Sequence, residues 1–279
     1  ETALRAFITG SEGQLGRALM RHWPGGDFVP GDLPNFDITD RRSARARIAA
    51  AAVDIVIHCA ALTNVDACAR DPQAAFRVNA FGTQSVALAC AAAGVPMVLI
   101  STNEVFDGAQ STPYSEFDPL RPPNPYGRSK AAAEWYTRHL LTEFYIVRTA
   151  WMYAGGGANF IHRMQSLADA DQPLRVVTDE IGSPTWADDL AAALIKLVET
   201  QQYGVYHLVN SGQASRYEFA RAVLDLSGRA DVPIEPIKLA DFQRDSTPPP
   251  SSALANHAAA ALGIEMRPWE AALAAFLKA

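Results

Sequence analysis

Tyr126 and Lys130 stand four residues apart at the head of a helix-forming stretch, with Ser101-Thr102 earlier in the chain. That spacing is just over one helical turn, so the phenol and the ammonium lie one above the other and can act on one atom. A lysine ammonium beside a phenol, with an oxidised nicotinamide close by, favours the phenolate, and Tyr126 is expected to have its pKa pulled down towards working pH. Together with Ser101-Thr102 the pair supplies the parts of a carbonyl reduction. A Tyr-x-x-x-Lys spacing recurs by chance in helix-rich chains, so its weight rests on context.

That context begins at the N-terminus. An apolar run from Leu4 to Thr9 leads into Gly10-Ser11-Glu12-Gly13-Gln14-Leu15-Gly16, ahead of a helix expected near Arg17. Glycines there permit a tight turn and close backbone approach, and a helix N-terminus offers N–H donors to a diphosphate. A second strand, Asp27 to Asp32, ends on a carboxylate 16 positions after Gly16, roughly where a dinucleotide fold reads the adenosine ribose. Asp32 reads equally as a turn residue beside Gly31 and Pro34. A carboxylate there favours NADH, whereas Arg17, Arg41 and Arg42 could hold a 2′-phosphate, so the cofactor is NADPH or NADH.

Further strands are expected at Val53 to His58, Val95 to Ile100 and Phe144 to Arg148, each apolar almost throughout, as buried parallel strands are. Thr39 or Asp40 can cap a helix, and a long amphipathic run follows Asp71-Pro72 and closes at Gly94. Strands alternating with helices imply an α/β fold, a Rossmann-like doubly wound parallel sheet. Ser101-Thr102 then fall at a carboxyl strand end, the edge where such sheets bind ligands. Pro122-Pro123-Asn124-Pro125 ends one element before the Tyr126 helix starts.

Beyond Trp151 the alternation is less regular. The Gly-rich turn 154–158 is followed by strand-like segments at Leu174 to Thr178 and Val205 to Val209. Helices are expected from about Ala187 to Glu199, Arg216 to Leu226 and Trp269 to Leu277, with a stiff Pro-rich loop at Thr247 to Ser251. The chain is expected to divide into a dinucleotide-binding domain, residues 1–152 and 183–212, and a smaller interleaved C-terminal substrate lobe, residues 153–182 and 213–279.

Composition excludes several other classes. The 279 residues carry 24 basic and 30 acidic side chains, a net charge of -6 with no basic block, which argues against nucleic acid. No apolar run is long enough to span a bilayer and no signal peptide is evident, so a cytoplasmic location is expected. Cys59, Cys68 and Cys90 form no Cys-x-x-Cys pair and the six histidines show no metal-ligand spacing, so neither a disulfide framework nor a metal site is expected.

The stretches TGSEGQLG (9–16), AALTNVDA (60–67), VNAFGT (78–83), STNEVFDG (101–108), PNPYGRSKAAAE (123–134), RTAWMYAGGGANF (148–160), DEIGSPT (179–185) and GVYHLVNSG (204–212) resemble the dTDP-4-dehydrorhamnose reductase family, within the extended short-chain dehydrogenase/reductase superfamily. The resemblance spans nearly the whole chain. It implies NAD(P)H-dependent reduction of the 4-keto group of a nucleotide-linked deoxysugar, dTDP-4-dehydro-L-rhamnose to dTDP-L-rhamnose, by a monomer or homodimer. Tyr126 would be the proton donor, Lys130 the ribose-binding lysine that tunes it, and Thr102 the hydroxyl on the substrate carbonyl. Gly10, Glu12, Gly13, Gln14, Leu15, Gly16, Asp32, Asp37, Ile38, Ala60, Ala61, Thr63 and Asn79 would join Tyr126 and Lys130 in holding the cofactor. Val65, Asn103, Glu104 and Trp151 would join Thr102 around the sugar, although tryptophan is more often a core aromatic.

Three departures from the family pattern bear on function. Asn103-Glu104 replaces the usual Asp-Tyr, and a Thr-Asp-Glu at this place marks nucleotide-sugar 4,6-dehydratases, so Glu104 could serve as a carbon-5 base. Asn103, however, cannot donate a proton as a carboxylic acid would. Pro248 stands where an arginine is usual, which leaves the diphosphate to other groups such as Arg244 or Arg163. Ala18 replaces a glutamate that joins a metal-bridged dimer in some relatives, so no structural magnesium is expected. Competing readings are a 4-ketoreductase of another nucleotide deoxysugar, a 4,6-dehydratase, and a non-enzymatic NADP-binding subunit of the kind that regulates methionine adenosyltransferase.

Overall fold

Six short segments line up as one parallel sheet, the inner ones buried on both faces and the edge strand at Phe28–Gly31 only partly so. The computed structural model describes residues 4–157 and 159–279, so the last residue of the Gly-rich turn, Ala158, lies outside the described residues. The first half runs β1 (Ala6–Thr9), α1 (Gln14–His22), β2 (Phe28–Gly31), α2 (Arg41–Ala51), β3 (Ile55–His58), α3 (Val65–Arg70), α4 (Pro72–Ala75), a π-helical turn (Phe76–Gly82), α5 (Thr83–Ala93), β4 (Met97–Thr102), α6 (Pro125–Leu140) and β5 (Phe144–Thr149). The second half runs β6 (Met152–Tyr153), α7 (Phe160–Asp169), β7 (Arg175–Val177), β8 (Ile181–Gly182), β9 (Thr185–Trp186), α8 (Ala187–Glu199), β10 (Gly204–His207), β11 (Ala214–Ser215), α9 (Arg216–Leu226), β12 (Glu235–Ile237), α10 (His257–Ala261) and α11 (Trp269–Phe276).

The main sheet has the order β10-β5-β4-β3-β1-β2, with every neighbouring pair parallel. Its β1 and β3 strands are buried along their whole length, the burial that parallel strands require. One face packs Leu15 and Leu19 of α1 against Leu190 and Leu194 of α8, and the other packs Ile48, Val86 and Cys90 beneath α2 and α5. Helices on both faces of an open parallel sheet are the doubly wound arrangement read from the sequence. The strand order reverses between β1 and β3, and at such a switch point the carboxyl strand ends open a crevice.

Local sequence explains the element boundaries. Asp40 rather than Thr39 caps α2, its carboxylate accepting from Arg42 N and Ser43 N. Gly94 closes α5 at φ 67°, where a residue with a β-carbon is strained. Helix α1 begins at Gln14, three residues earlier than expected, because Gly13 is its extended N-cap. The run after Pro72 is not one regular helix. It widens into the π turn that carries Asn79, a device common at functional sites.

A separate core gathers Tyr153, Ile161, Met164, Leu174, Phe219, Val223, Trp269 and Leu273 around the small β7–β12 pair. Helices α3 and α7, which the sequence reading left unassigned, flank the cleft and this second core respectively. No helix among the described residues is long and apolar enough to cross a membrane.

Candidate active site

The start of α6 is fixed by its sequence. Asn124 is the N-cap, its Oδ1 accepting from Gly127 N at 2.8 Å, and Pro125 occupies the first helical position, where a missing N–H costs nothing. Tyr126 and Lys130 follow on the inner face, 9% and 2% exposed. A β-carbon at Gly127 would run into the Glu104 carbonyl, so glycine is what lets the helix lie against the turn after β4. Strand β4 delivers Thr102 to the same place.

Beneath the pair lies a buried ionic lock. Arg148 on β5 grips Glu134 on α6 through Nε to Oε1 at 2.9 Å and Nη2 to Oε2 at 2.7 Å, and Ser101 Oγ donates to Glu134 Oε1 at 2.7 Å. Both charged side chains are about 1% exposed. The bidentate pair therefore ties the helix carrying Tyr126 and Lys130 to two central strands.

These residues open onto a cleft of about 840 Å³, the size range of cofactor and ligand sites. Its walls include Gly10, Glu12, Gly13, Gln14, Leu15, Gly16, Asp32, Asp37, Ile38, Ala60, Ala61 and Thr63 at one end, and Val65, Thr102, Asn103, Glu104, Tyr126, Lys130 and Trp151 at the other. Asn79 is the exception among the sequence-derived site residues. It is fully buried and its amide is spent on Leu62 N at 2.7 Å, Leu62 O at 3.0 Å and Ser129 Oγ at 2.9 Å, so it braces the loop after β3 against α6 from behind.

The first end fits a dinucleotide. The N-terminus of α1 has no side-chain cap, and Gly13 to Gly16 line the cleft there. A β-carbon on Gly16 would strike Gly10 O, and one on Gly10 would sit 2.7 Å from Ala60 N, so the glycines bring two loops to the backbone approach a diphosphate needs. Gln14 lines this space, and its buried Oε1 has no hydrogen-bond partner among the described residues. Asp32 combines both of its readings: it lines the cleft, and its oxygens accept from Glu12 N and Leu33 N, each at 2.8 Å. A carboxylate has further lone pairs for ribose hydroxyls. Arg17 pairs with Glu12 and Arg41 bonds Gln84, and neither they nor Arg42 line the cleft.

The electrostatics correct one expectation. Tyr126 is pushed up from the ordinary phenol range, not down, first by burial and then by the Glu104 carboxylate, with the Thr102 hydroxyl opposing. Lys130 is lowered to about 8 by burial, with Glu134 one turn further along holding it up. Desolvation of the phenol is a tertiary effect that the four-residue spacing does not contain, and Lys130 is not among the groups that set the direction of the shift. Tyr126 therefore carries its proton at neutral pH, the state a proton donor needs. Glu104 is raised to about 7, first by burial, while its bond from Asn124 and the charges of Arg244 and Arg216 oppose.

Asn124 and Arg216 were not legible as site residues in the sequence. Asn124 Nδ2 holds Glu104 Oε2 at 2.5 Å and also donates to Thr247 O at 3.0 Å, joining α6 to the Pro-rich loop. Trp151 sits at φ 41°, a rare conformation for a bulky residue. Its ring lies against Gly182, where a β-carbon would collide with it, and the Arg216 guanidinium covers it at 3.5 Å from the ring centre. Arg216 also lines the cleft. Arg244 is committed to Asp66 at 3.2 Å and, with Arg163, lies outside the cleft lining.

The family model described as "RmlD substrate binding domain" matches residues 4–279. The chain is 38% identical to dTDP-4-dehydrorhamnose reductase of Mycobacterium tuberculosis, covering 99% of this chain and 93% of that protein. It is also 38% identical to the spore coat polysaccharide biosynthesis protein SpsK of Bacillus subtilis, covering 98% and 97%. Among solved structures, dTDP-4-dehydrorhamnose reductase of Bacillus anthracis in complex with NADP superposes with a TM-score of 0.96 at 34% identity, covering 99% of each chain. With the parallel sheet, the glycine crevice and the Thr102, Tyr126 and Lys130 side chains on one cleft, these matches place the chain in the dTDP-4-dehydrorhamnose reductase family.

Proposed function

We propose that this protein reduces the 4-keto group of dTDP-4-dehydro-L-rhamnose to give dTDP-L-rhamnose, using NADPH or NADH. The observation that carries the reading is the placement of a buried Tyr126 beside Thr102, with Lys130 one turn behind, at the end of a cleft whose other end fits a dinucleotide. Gly10 to Gly16 would hold the diphosphate, Asp32, Asp37 and Ile38 the adenosine, and Ala60, Ala61, Thr63, Tyr126 and Lys130 the nicotinamide half. The bound dinucleotide supplies the hydride. Tyr126 donates its proton to the ketone oxygen as charge develops there, Thr102 orients that oxygen, and the Lys130 ammonium steadies the phenolate left behind.

In this reading residues 1–152 and 183–212 form the dinucleotide-binding domain, supported by β10 and α8 completing the main sheet and its cover. Residues 153–182 and 213–279 form the substrate lobe around the second core. Dehydration is disfavoured because Asn103, buried and donating to Ser252 Oγ at 2.7 Å, supplies no acid. Reduction of another nucleotide deoxysugar is favoured only by Glu104, whose carboxylate alters the polarity facing the sugar.

The test is oxidation of NADH and NADPH with dTDP-4-dehydro-L-rhamnose, with the product identified by mass. Tyr126→Phe should bind cofactor normally and lose roughly 100-fold or more in kcat. Silence with both cofactors alongside tight cofactor binding would instead identify a non-catalytic binding protein.

A further inference from the structure

A nucleotide-sugar brings two negative charges into a cleft already lined by Glu12, Asp32, Asp37 and Glu104. Three cations line it among the described residues: Arg77, Lys130 and Arg216. Lys130 is sunk at the reacting end and Arg77 is an exposed residue on the π turn of the dinucleotide half. Arg216 alone comes from the C-terminal half, on the first turn of α9.

Its geometry is that of a held but unspent donor. Nε donates to Glu180 Oε1 at 2.9 Å, the backbone N–H donates to Glu180 O at 3.0 Å, and the guanidinium lies flat on Trp151 at 3.5 Å with Phe160 at 5.5 Å. Neither terminal nitrogen has a hydrogen-bond partner among the described residues, and the side chain is 24% exposed. A stacked, singly anchored guanidinium loses little further freedom when it meets an anion and presents two parallel donors to phosphate oxygens. The strained backbone of Trp151 and the space left by Gly182 set the ring that Arg216 rests on.

We propose that Arg216, laid over Trp151, is the cation that receives the substrate's diphosphate and makes the cleft select anionic nucleotide-sugars. The inference rests on the nucleotide-sugar reading above, but it is tested by binding without turnover. A protein that binds dTDP through Arg216 yet leaves the 4-ketone unreduced would lose the reaction and keep this assignment.

The experiment is calorimetric titration of dTDP, with NADH titrated separately as the control for an intact fold. Arg216→Gln should weaken dTDP by roughly 10- to 100-fold, the scale of a lost charge-assisted bond, and leave NADH unchanged. Arg216→Lys keeps the charge without the planar fork and should fall in between. Glu180→Gln retains an acceptor for Nε while removing a competing negative charge, so dTDP should bind as well as or better than in wild type. Unchanged dTDP affinity in Arg216→Gln overturns the proposal. So does equal weakening of NADH in that variant, or a Glu180→Gln loss matching it, since either makes Arg216 a strut.

Discussion

Asn124 donates to the Glu104 carboxylate at 2.5 Å while its other amide atom caps the helix that carries Tyr126. One side chain thus fixes both the phenol and the charge that raises the phenol's pKa. Asn124→Ala should cost about 1 kcal/mol of stability through the lost cap. It should lower kcat more than that stability loss explains, because α6 then starts without a fixed partner on Glu104. Urea unfolding and steady-state kinetics on the same preparation check this, and a wild-type kcat would remove Asn124 from the positioning of Tyr126.

Glu104 gives a pH signature. Its pKa is raised to about 7, first by burial and also by Glu180, so the native state holds a proton there that the unfolded chain has released above about pH 4.5. Stability from this group is full below about pH 4.5 and is lost as pH rises through 7. Glu104→Gln stays neutral throughout, so it should exceed wild type at pH 8 by of order 2 kcal/mol after allowing for partial exposure, and match it near pH 4.5. A difference that is constant with pH would show that Glu104 is charged in the folded protein across this range.

The glycine end of the cleft predicts cofactor choice. Glu12, Asp32 and Asp37 line it, and no arginine among the described residues does so beside them. A 2′-phosphate placed there meets carboxylates. Asp32→Ala should raise kcat/KM with NADPH relative to NADH, and that ratio measured on one substrate decides the matter. Because Asp32 also accepts from Glu12 N and Leu33 N, both absolute values should drop.

What was legible in the sequence follows from how local each signal is. Strands such as Ile55–His58 declare themselves because burial on both faces demands an unbroken apolar run, and Gly10 to Gly16 declares itself because only glycine tolerates such contacts. Helix α3 was missed because six residues around a single buried Cys68 make no period, and α7 because it follows a glycine turn. The sign of the Tyr126 shift, the withdrawal of Asn79 behind the cleft, and the arrival of Arg216, held by Glu180, on Trp151 depend on segments tens of residues apart. No spacing encodes them.

Gly182 makes the most local prediction about the Trp151 end of the cleft, where the proposed function puts the sugar. The ring of Trp151 occupies the place a β-carbon would take, and that ring carries Arg216 on its face. Gly182 sits in β8, paired with Ala214 of β11, so its backbone has little room to retreat. In Gly182→Ala the Trp151 ring has to move, and Arg216 loses its platform. KM for the nucleotide-sugar should rise about tenfold, a loss of roughly 1.4 kcal/mol, while NADH affinity stays as in wild type because the Gly10 to Gly16 crevice is untouched. The intrinsic fluorescence of Trp151, read against Trp151→Phe, should shift with the ring's new surroundings. A variant with wild-type KM and an unshifted spectrum would mean that β8 yields instead, and that the tryptophan's position is not what holds the sugar.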